Sequence, residues 1–313
     1  MQSVRRAVID VGTNSVKILV AEVRNRDVQP ILEKSEQTRL GSGFYETRVL
    51  QSEAVRQTAE AIRNFATDAR AAGASQIRVV ATSAARDAVN RDHLISEVRR
   101  VSGMELEIIS GEQEAEWVFR GVTTDPQLLG HKLLILDVGG GSTEFIIGQG
   151  EHHVFRQSFD VGSVRLFEKL KPVDPPSPAD LEKCRSSLNA FFIDQIAPTL
   201  EKLLEHSARD KVRLIATGGA ATILARIQFQ LLDYDRAQIE GRCISRERVN
   251  AWMQRLWNEP LASRKIIAGM PSKRADIIPM GVAIYEAVME HFKFSEMHIT
   301  TRGLRFGALL EPL

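Results

Sequence analysis

The sequence predicts an α/β fold built as two similar halves. Three observations carry this expectation. Short β-branched runs alternate with segments of helical spacing, 313 residues exceed one ordinary core, and a strand–turn–strand unit near the start occurs again further along.

Ala7-Val8-Ile9 is a short apolar run ending at Asp10, and residues 16–23 read as a second strand after a turn. Over residues 54–72 the side chains of Val55, Ala59, Ile62, Ala66 and Ala69 fall on one helical face, and Gly73 stops the helix. Residues 77–82 form another strand, 91–101 a helix closed by Gly103, and 106–109 a strand again. The apolar run 132–136, bounded by turn residues, suits a central strand. The proline-rich stretch 171–178 is a rigid surface connection before a long helix over 179–206, broken near Pro198. Residues 214–217 run as a strand into Gly218-Gly219, helical patterns dominate 245–292, and 296–300 makes a last strand.

The repeat is specific. Residues 7–15 (AVIDVGTNS) align with 134–142 (LILDVGGGS), so Asp, Val, Gly and Ser recur at one offset of 127 residues, the distance from Asp10 to Asp137. An apolar strand follows each copy, so the halves are expected to face each other as related domains.

Composition limits the partners. Hydrophobic residues make up 43% of the chain and charged residues 26%, ordinary for a globular protein, and the formal net charge is +1. A protein whose whole surface attracts nucleic acid is usually more basic, so a polyanion site must be a local groove and no nucleic-acid partner is expected. Cys184 and Cys243 are too few for a disulfide framework and read as reduced thiols. No apolar run reaches membrane-span length, and the first residues run straight into a strand without a separate signal core. A soluble, cytoplasmic protein with no membrane partner is the expectation.

The chemistry sits in the turns. Gly12, Thr13, Asn14 and Ser15 offer close backbone approach, two hydroxyls and an amide, although a strand followed by Asp-x-Gly-Thr is often only a β-turn. Gly139, Gly140 and Gly141 before Ser142 are more specific, because three glycines cost conformational entropy that a phosphate gripped by backbone amides would offset. There is no Gly-Lys dipeptide and therefore no Walker A loop. Glu144 stands where the last glycine of G-x-G-x-x-G would be. Asp137 and Glu144 flank the triple glycine and would repel phosphate unless a cation lay between them. Oxygen ligands beside phosphate favour Mg²⁺. Gly218-Gly219 either binds an anion at a helix amino terminus or makes a tight strand–helix joint. Glu112 and Glu114 either include a carboxylate that handles a water or form an acidic first helical turn. Arg39, Arg86, Arg165 and Arg274 each lie near small residues at predicted strand ends.

Taken together, these motifs resemble the Ppx/GppA family of exopolyphosphatases and guanosine pentaphosphate phosphohydrolases, in the actin-like superfamily. The resemblance rests on residues 10–15 (DVGTNS), 39–41 (RLG), 81–86 (ATSAAR), 109–115 (ISGEQEA) and 137–144 (DVGGGSTE). Residues 162–166 (GSVRL), 216–219 (ATGG), 274–276 (RAD) and 302–305 (RGLR) complete it. It implies two ribonuclease-H-like domains around a cleft, here residues 1–121 plus 297–313 and residues 122–296. It also implies Glu114 as the carboxylate that activates water, and Asp137 and Glu144, with Asp10 in reserve, as the acids on the Mg²⁺ side. Phosphate would be held by Gly12 to Ser15, Gly139 to Ser142, Gly218 and Gly219, with Arg86 and Arg165 as clamps. The implied reaction is removal of the terminal phosphate of inorganic polyphosphate, with guanosine pentaphosphate hydrolysis, or a regulator of low turnover, as the rivals. Two departures stand out: Gln113 replaces one of two adjacent glutamates, and Phe306 replaces the glutamate of a Gly-Leu-Arg-Glu-Gly motif. The chain also resembles the short form, lacking a helical extension, for which a homodimer is expected.

Overall fold

In the computed structural model, which describes residues 3–205 and 212–311, the strands assemble into two sheets. The first contains β1 (Val4–Val11), β2 (Val16–Arg24), β3 (Asp27–Glu36), β4 (Gln76–Ala81) and β5 (Glu107–Ile108) in the order β3-β2-β1-β4-β5. The second contains β6 (Lys132–Val138), β7 (Thr143–Gln149), β8 (His152–Phe159), β9 (Val212–Thr217), β10 (Cys243–Ser245) and β11 (Glu296–Ile299) in the order β10-β11-β9-β6-β7-β8. Each sheet opens as an antiparallel meander, β1-β2-β3 or β6-β7-β8. Each then adds a parallel strand to the first of the three, β4 on β1 and β9 on β6.

The repeat therefore extends well beyond the turn that revealed it. The alternating side chains of a half-buried strand explain why. Ile9, Val11, Val16, Ile18 and Val20 point to one face of the first sheet and pack with Val55, Ile62 and Phe65 of the helix Ser52–Ala71. Leu134, Leu136, Phe145 and Ile147 do the same in the second sheet against the helix Ile278–His291 and its neighbours.

The inner faces of both sheets share a third cluster. Val8, Leu19 and Val80 from the first sheet and Leu133, Ile135 and Ile146 from the second enclose Trp117, Val118, Phe119, Phe306 and Leu309. The last five residues belong to two helices, Gly111–Val122 and Leu304–Leu310, that lie against each other between the sheets. Their backbones meet at glycines. A Cβ on Gly307 would overlap the Trp117 carbonyl, and one on Gly121 would overlap the Gly303 carbonyl and stand 3.0 Å from the Gly307 nitrogen. Phe306, the departure noted in the sequence, fills this interface at 1% exposure.

Several expectations change. Residues 297–299, assigned to the first domain, lie in β11, which pairs with β9 and β10 in the second sheet. Only the following helix returns to the first half. The strand expected over 106–109 shrinks to two residues, while β3, β8 and β10 were not foreseen. The long helix over 179–206 is Pro178–Phe191, a π-helical turn Phe192–Ile196 and Ala197–Glu205, with its last expected residue outside the described part. The backbone stays helical through Pro198, just after the π-helical turn, so the expected break is a local change in helix winding. No helix among the described residues is long and apolar enough to cross a membrane.

Candidate active site

The two hairpin turns are built alike. Gly12 donates its N–H to the Ser15 carbonyl at 3.0 Å, and Gly139 donates to the Ser142 carbonyl at 3.0 Å. Both turns line one cleft of about 720 Å³ between the halves. They touch across it: a Cβ on Gly140 would stand 3.0 Å from the Thr13 Cβ, and one on Gly141 would meet the hydroxyls of Thr13, Tyr45 and Ser83. Glycine at 140 and 141 is thus required by the approach of the opposite wall.

Further contacts cross the opening of the cleft. The Arg274 guanidinium donates to Ser15 Oγ at 3.0 Å, Arg39 pairs with Asp276 at 2.9 Å, and Gln37 donates to the Lys273 carbonyl at 2.8 Å. On another side, the Glu168 carboxylate accepts from the backbone N–H groups of Gly43 and Tyr45.

Six acidic residues line this space; Glu33 and Glu36 belong to β3, and the other four, Asp10, Glu114, Asp137 and Glu144, gather around the two turns. Asp10 and Asp137 occupy matching places near the ends of β1 and β6. Glu114 lies in the first turn of the helix Gly111–Val122, whose start is capped by Ser110 accepting from the Gln113 N–H at 3.1 Å. Arg86 Nη1 donates to the Glu114 carboxylate at 3.0 Å and to the Ile109 carbonyl at 3.2 Å. Glu144 Oε1 accepts from Ser142 Oγ at 2.9 Å and Ser158 Oγ at 2.7 Å.

Burial dominates the electrostatics of these acids. It pushes Glu114 up to about 7, opposed by Arg86 and reinforced by the charges of Asp137 and Asp10. Burial pushes Asp137 up to about 6, with Lys17 and Arg305 pulling down and Asp10 pushing up. Glu144 is raised well above the usual carboxylate range by burial and then by Glu114 and Asp137, against its two serine hydrogen bonds. Burial also raises Asp10, against Lys17 and Arg305. Among cations, burial lowers Lys17 to about 8 and Arg274 to about 10.

Among the described residues, no three of the four carboxylates bring their oxygens within 4.8 Å of one another, so they do not form a closed cage. An oxygen-only set that supplies one or two carboxylates and leaves room for water and phosphate oxygens fits Mg²⁺. Asp137 and Glu144, opposed in register across β6 and β7, are the pair that would hold it.

The Gly218-Gly219 turn turns out to be a joint that also lines the cleft. Gly218 has φ +88°, and a Cβ there would run into the Asp137 carboxylate, so the turn wraps that acid. Gly219 opens the first turn of the helix Gly218–Phe229, whose amino end faces the cleft.

Two expected clamps do not line the cleft. Arg86 is engaged with Glu114. Arg165 donates to the Gly141 carbonyl at 2.8 Å, pairs with Asp87 at 3.1 Å and Asp160 at 2.9 Å, and lies over the Tyr45 ring. It braces the triple-glycine turn from behind. Among the basic residues of 264–274, Lys273 and Arg274 line the cleft, whereas Arg264 is buried against Asp174 at 3.3 Å. Lys265 is exposed outside it.

Lys17, Arg305, Thr217 and Ser83 line the cleft and were missed. Lys17 was legible, because the 127-residue offset places it opposite Glu144.

Two α/β halves that present paired glycine turns, buried carboxylates and cations to one cleft define a phosphoryl-handling protein of the actin-like class. The Ppx/GppA phosphatase family model matches residues 19–313, and the chain belongs to that family. It is 32% identical over 303 residues to Exopolyphosphatase 2 of Mycobacterium tuberculosis, covering 94% of this chain and 92% of that one. It is 28% identical to a guanosine-5'-triphosphate,3'-diphosphate pyrophosphatase of Vibrio atlanticus, over 97% of this chain and 58% of that one. The crystal structure of an exopolyphosphatase from Cytophaga hutchinsonii superposes with TM-score 0.86 at 27% identity, covering 97% and 96% of the two chains.

Proposed function

We propose that the protein is an exopolyphosphatase that hydrolyses the terminal phosphoanhydride of inorganic polyphosphate and releases orthophosphate. One observation carries the reading: Glu114, held by Arg86, faces the space between two matched phosphate turns and beside Asp137 and Glu144.

In this reading the N–H groups of the two turns beyond those of Gly12 and Gly139, the Ser15 hydroxyl and Arg274 hold the terminal phosphate in line with a water next to Glu114, while Ser142 orients Glu144. The water oxygen bonds to phosphorus, its proton passes to Glu114, and the bond to the bridging oxygen breaks. The departing chain keeps the electron pair, and Lys17 and Arg274 neutralise its charge. A bound Mg²⁺ would supply charge neutralisation of the phosphate oxygens, from Asp137 and Glu144 with Asp10 in reserve. Arg86 and Arg165 act behind the site, one on the base and one on the turn. We assign residues 1–121 and the last helix to one domain and move 297–299 to the other. The reading also includes a cytoplasmic setting and a homodimer, the latter checked by light scattering.

The relative named a guanosine-5'-triphosphate,3'-diphosphate pyrophosphatase supports a second reading, the same chemistry on guanosine pentaphosphate. Phosphate release from long polyphosphate, tripolyphosphate and guanosine pentaphosphate, by wild type and Glu114→Ala, separates them. Faster release from the nucleotide promotes the second reading. Undetectable release from all three leaves a binding regulator. Equal release by both proteins sinks the role given to Glu114.

A further inference from the structure

Three potential metal-ligating side chains cluster outside the cleft, on the edge of the second sheet. Cys243 in β10 and His298 in β11 are directly opposed in the antiparallel ladder, and Glu296 stands two residues before His298. Opposed residues share a face, and so do residues two apart on one strand, so all three side chains project from the same side. The alternate residues Ile244 and Met297 are buried on the other side at 1% and 0% exposure. That burial fixes the register and with it the trio.

Sγ of Cys243, a ring nitrogen of His298 and a carboxylate oxygen of Glu296 lie within 4.8 Å of one another, and His298 Nε2 is 3.2 Å from Glu296 Oε1. Zinc bonds of about 2.0–2.3 Å place tetrahedral donors about 3.5 Å apart, so small side-chain rotations close the set. β10 ends the sheet and Cys243 is exposed, which leaves the fourth position to water. Sulfur, nitrogen and oxygen together select a borderline-soft ion over Mg²⁺.

We propose that Cys243, Glu296 and His298 form a Zn²⁺ site that ties the edge strand β10 to β11. It is independent of the phosphohydrolase reading. The strand it would hold leads within three residues from His298 to Thr301, which lines the cleft.

The test uses the full chain, stripped by a chelator and titrated with Zn²⁺ against a chromophoric competitor. Cys243→Ser and His298→Ala should each lose one tight equivalent. Affinity at this site should fall beyond the roughly 10–100-fold typical of losing an outer partner. Co²⁺ should give a thiolate-to-metal charge-transfer band in wild type that disappears in Cys243→Ser. Both variants should keep wild-type phosphate release, which shows that they fold. The proposal is overturned if wild type lacks the cobalt–thiolate band, or if Cys243→Ser retains every zinc equivalent.

Discussion

Lys17 and Glu144 occupy the same position in two copies of one hairpin. In the first copy Lys17 is paired in register with Asp10, and in the second Glu144 is paired with Asp137. One half thus sets a cation beside its aspartate, while the other sets a second acid. That single difference divides the labour of two otherwise matched turns. The first needs no added ion to offset its acid. The second concentrates buried negative charge that Lys17 and Arg305 offset only in part, and protons are held there more tightly for that reason.

Lys17→Met keeps the length of the side chain and removes its charge. It strips Asp10 and Asp137 of the cation that lowers both most, leaving Arg305 to offset them alone. The expected loss in kcat/KM is about 10²-fold, the scale of removing one preorganised electrostatic partner. Lys17→Arg should retain most of the activity. Glu144→Gln should act differently, raising the Mg²⁺ concentration needed for half-maximal rate by at least about 10-fold. Steady-state phosphate release over a Mg²⁺ series distinguishes the two.

Glu114→Ala removes the group assigned to take the proton of water. A general base contributes about 10²–10⁴-fold, so kcat should fall by that factor while KM changes little. If KM rose and kcat held, Glu114 would be a binding group.

Arg86 sits on Glu114, and its charge is the largest influence holding that acid down against burial. Since a base works deprotonated, kcat/KM should rise with pH through about 7 in the wild type. Arg86→Gln should shift this rising limb to higher pH, because the folded acid then holds its proton longer. A phosphate clamp would instead raise KM and leave the limb in place. The pH–rate profile of the variant decides between them.

How these residues could be read from sequence depended on the range of the interaction. Turns made by neighbouring residues were plain: Gly12 and Gly139 to Gly141 follow apolar strands and recur at one offset. Arg86 and Arg165 also stand out as arginines near strand ends, yet sequence does not say which way a long side chain turns. Both turned to nearby carboxylates, Glu114 and Asp87, that offered charged hydrogen bonds. The strand at 296–299 was legible as a strand, but its sheet was not. Its partner β9 is about 80 residues away in sequence, and no local pattern records such a pairing. Phe306 read as a lost glutamate, although the structure shows it filling the helix interface.

The same interface makes a stability prediction. Gly307→Ala places a methyl group into the Trp117 backbone carbonyl, which cannot rotate aside. Overpacking of this kind costs about 1–3 kcal/mol, and here the two helices must separate at the centre of the molecule. Thermal denaturation should show a clear drop in Tm. Gly130→Ala is the control, since a Cβ there meets nothing within 4 Å and Tm should stay near wild type.

Finally, the buried acids make the metal-free fold sensitive to pH in a definite direction. Glu114 titrates at 4.5 when unperturbed and at about 7 when folded, and Asp137 moves from 3.8 to about 6. Between those values the folded state binds more protons than the unfolded one, so stability falls as pH rises. The contribution is intact below the unfolded values and is lost as pH passes the folded ones. Mg²⁺ held as proposed would need the deprotonated acids and compete with the protons, so its stabilisation should grow over the same range. Denaturation with chelator should therefore give a Tm that declines from about pH 5 to about pH 8, beyond the trend of an Asp137→Asn, Glu114→Gln double variant. Adding Mg²⁺ should raise Tm more at about pH 8 than at about pH 5, and should raise that of the double variant least. A Mg²⁺ increment independent of pH would mean that the ion does not bind where these carboxylates crowd.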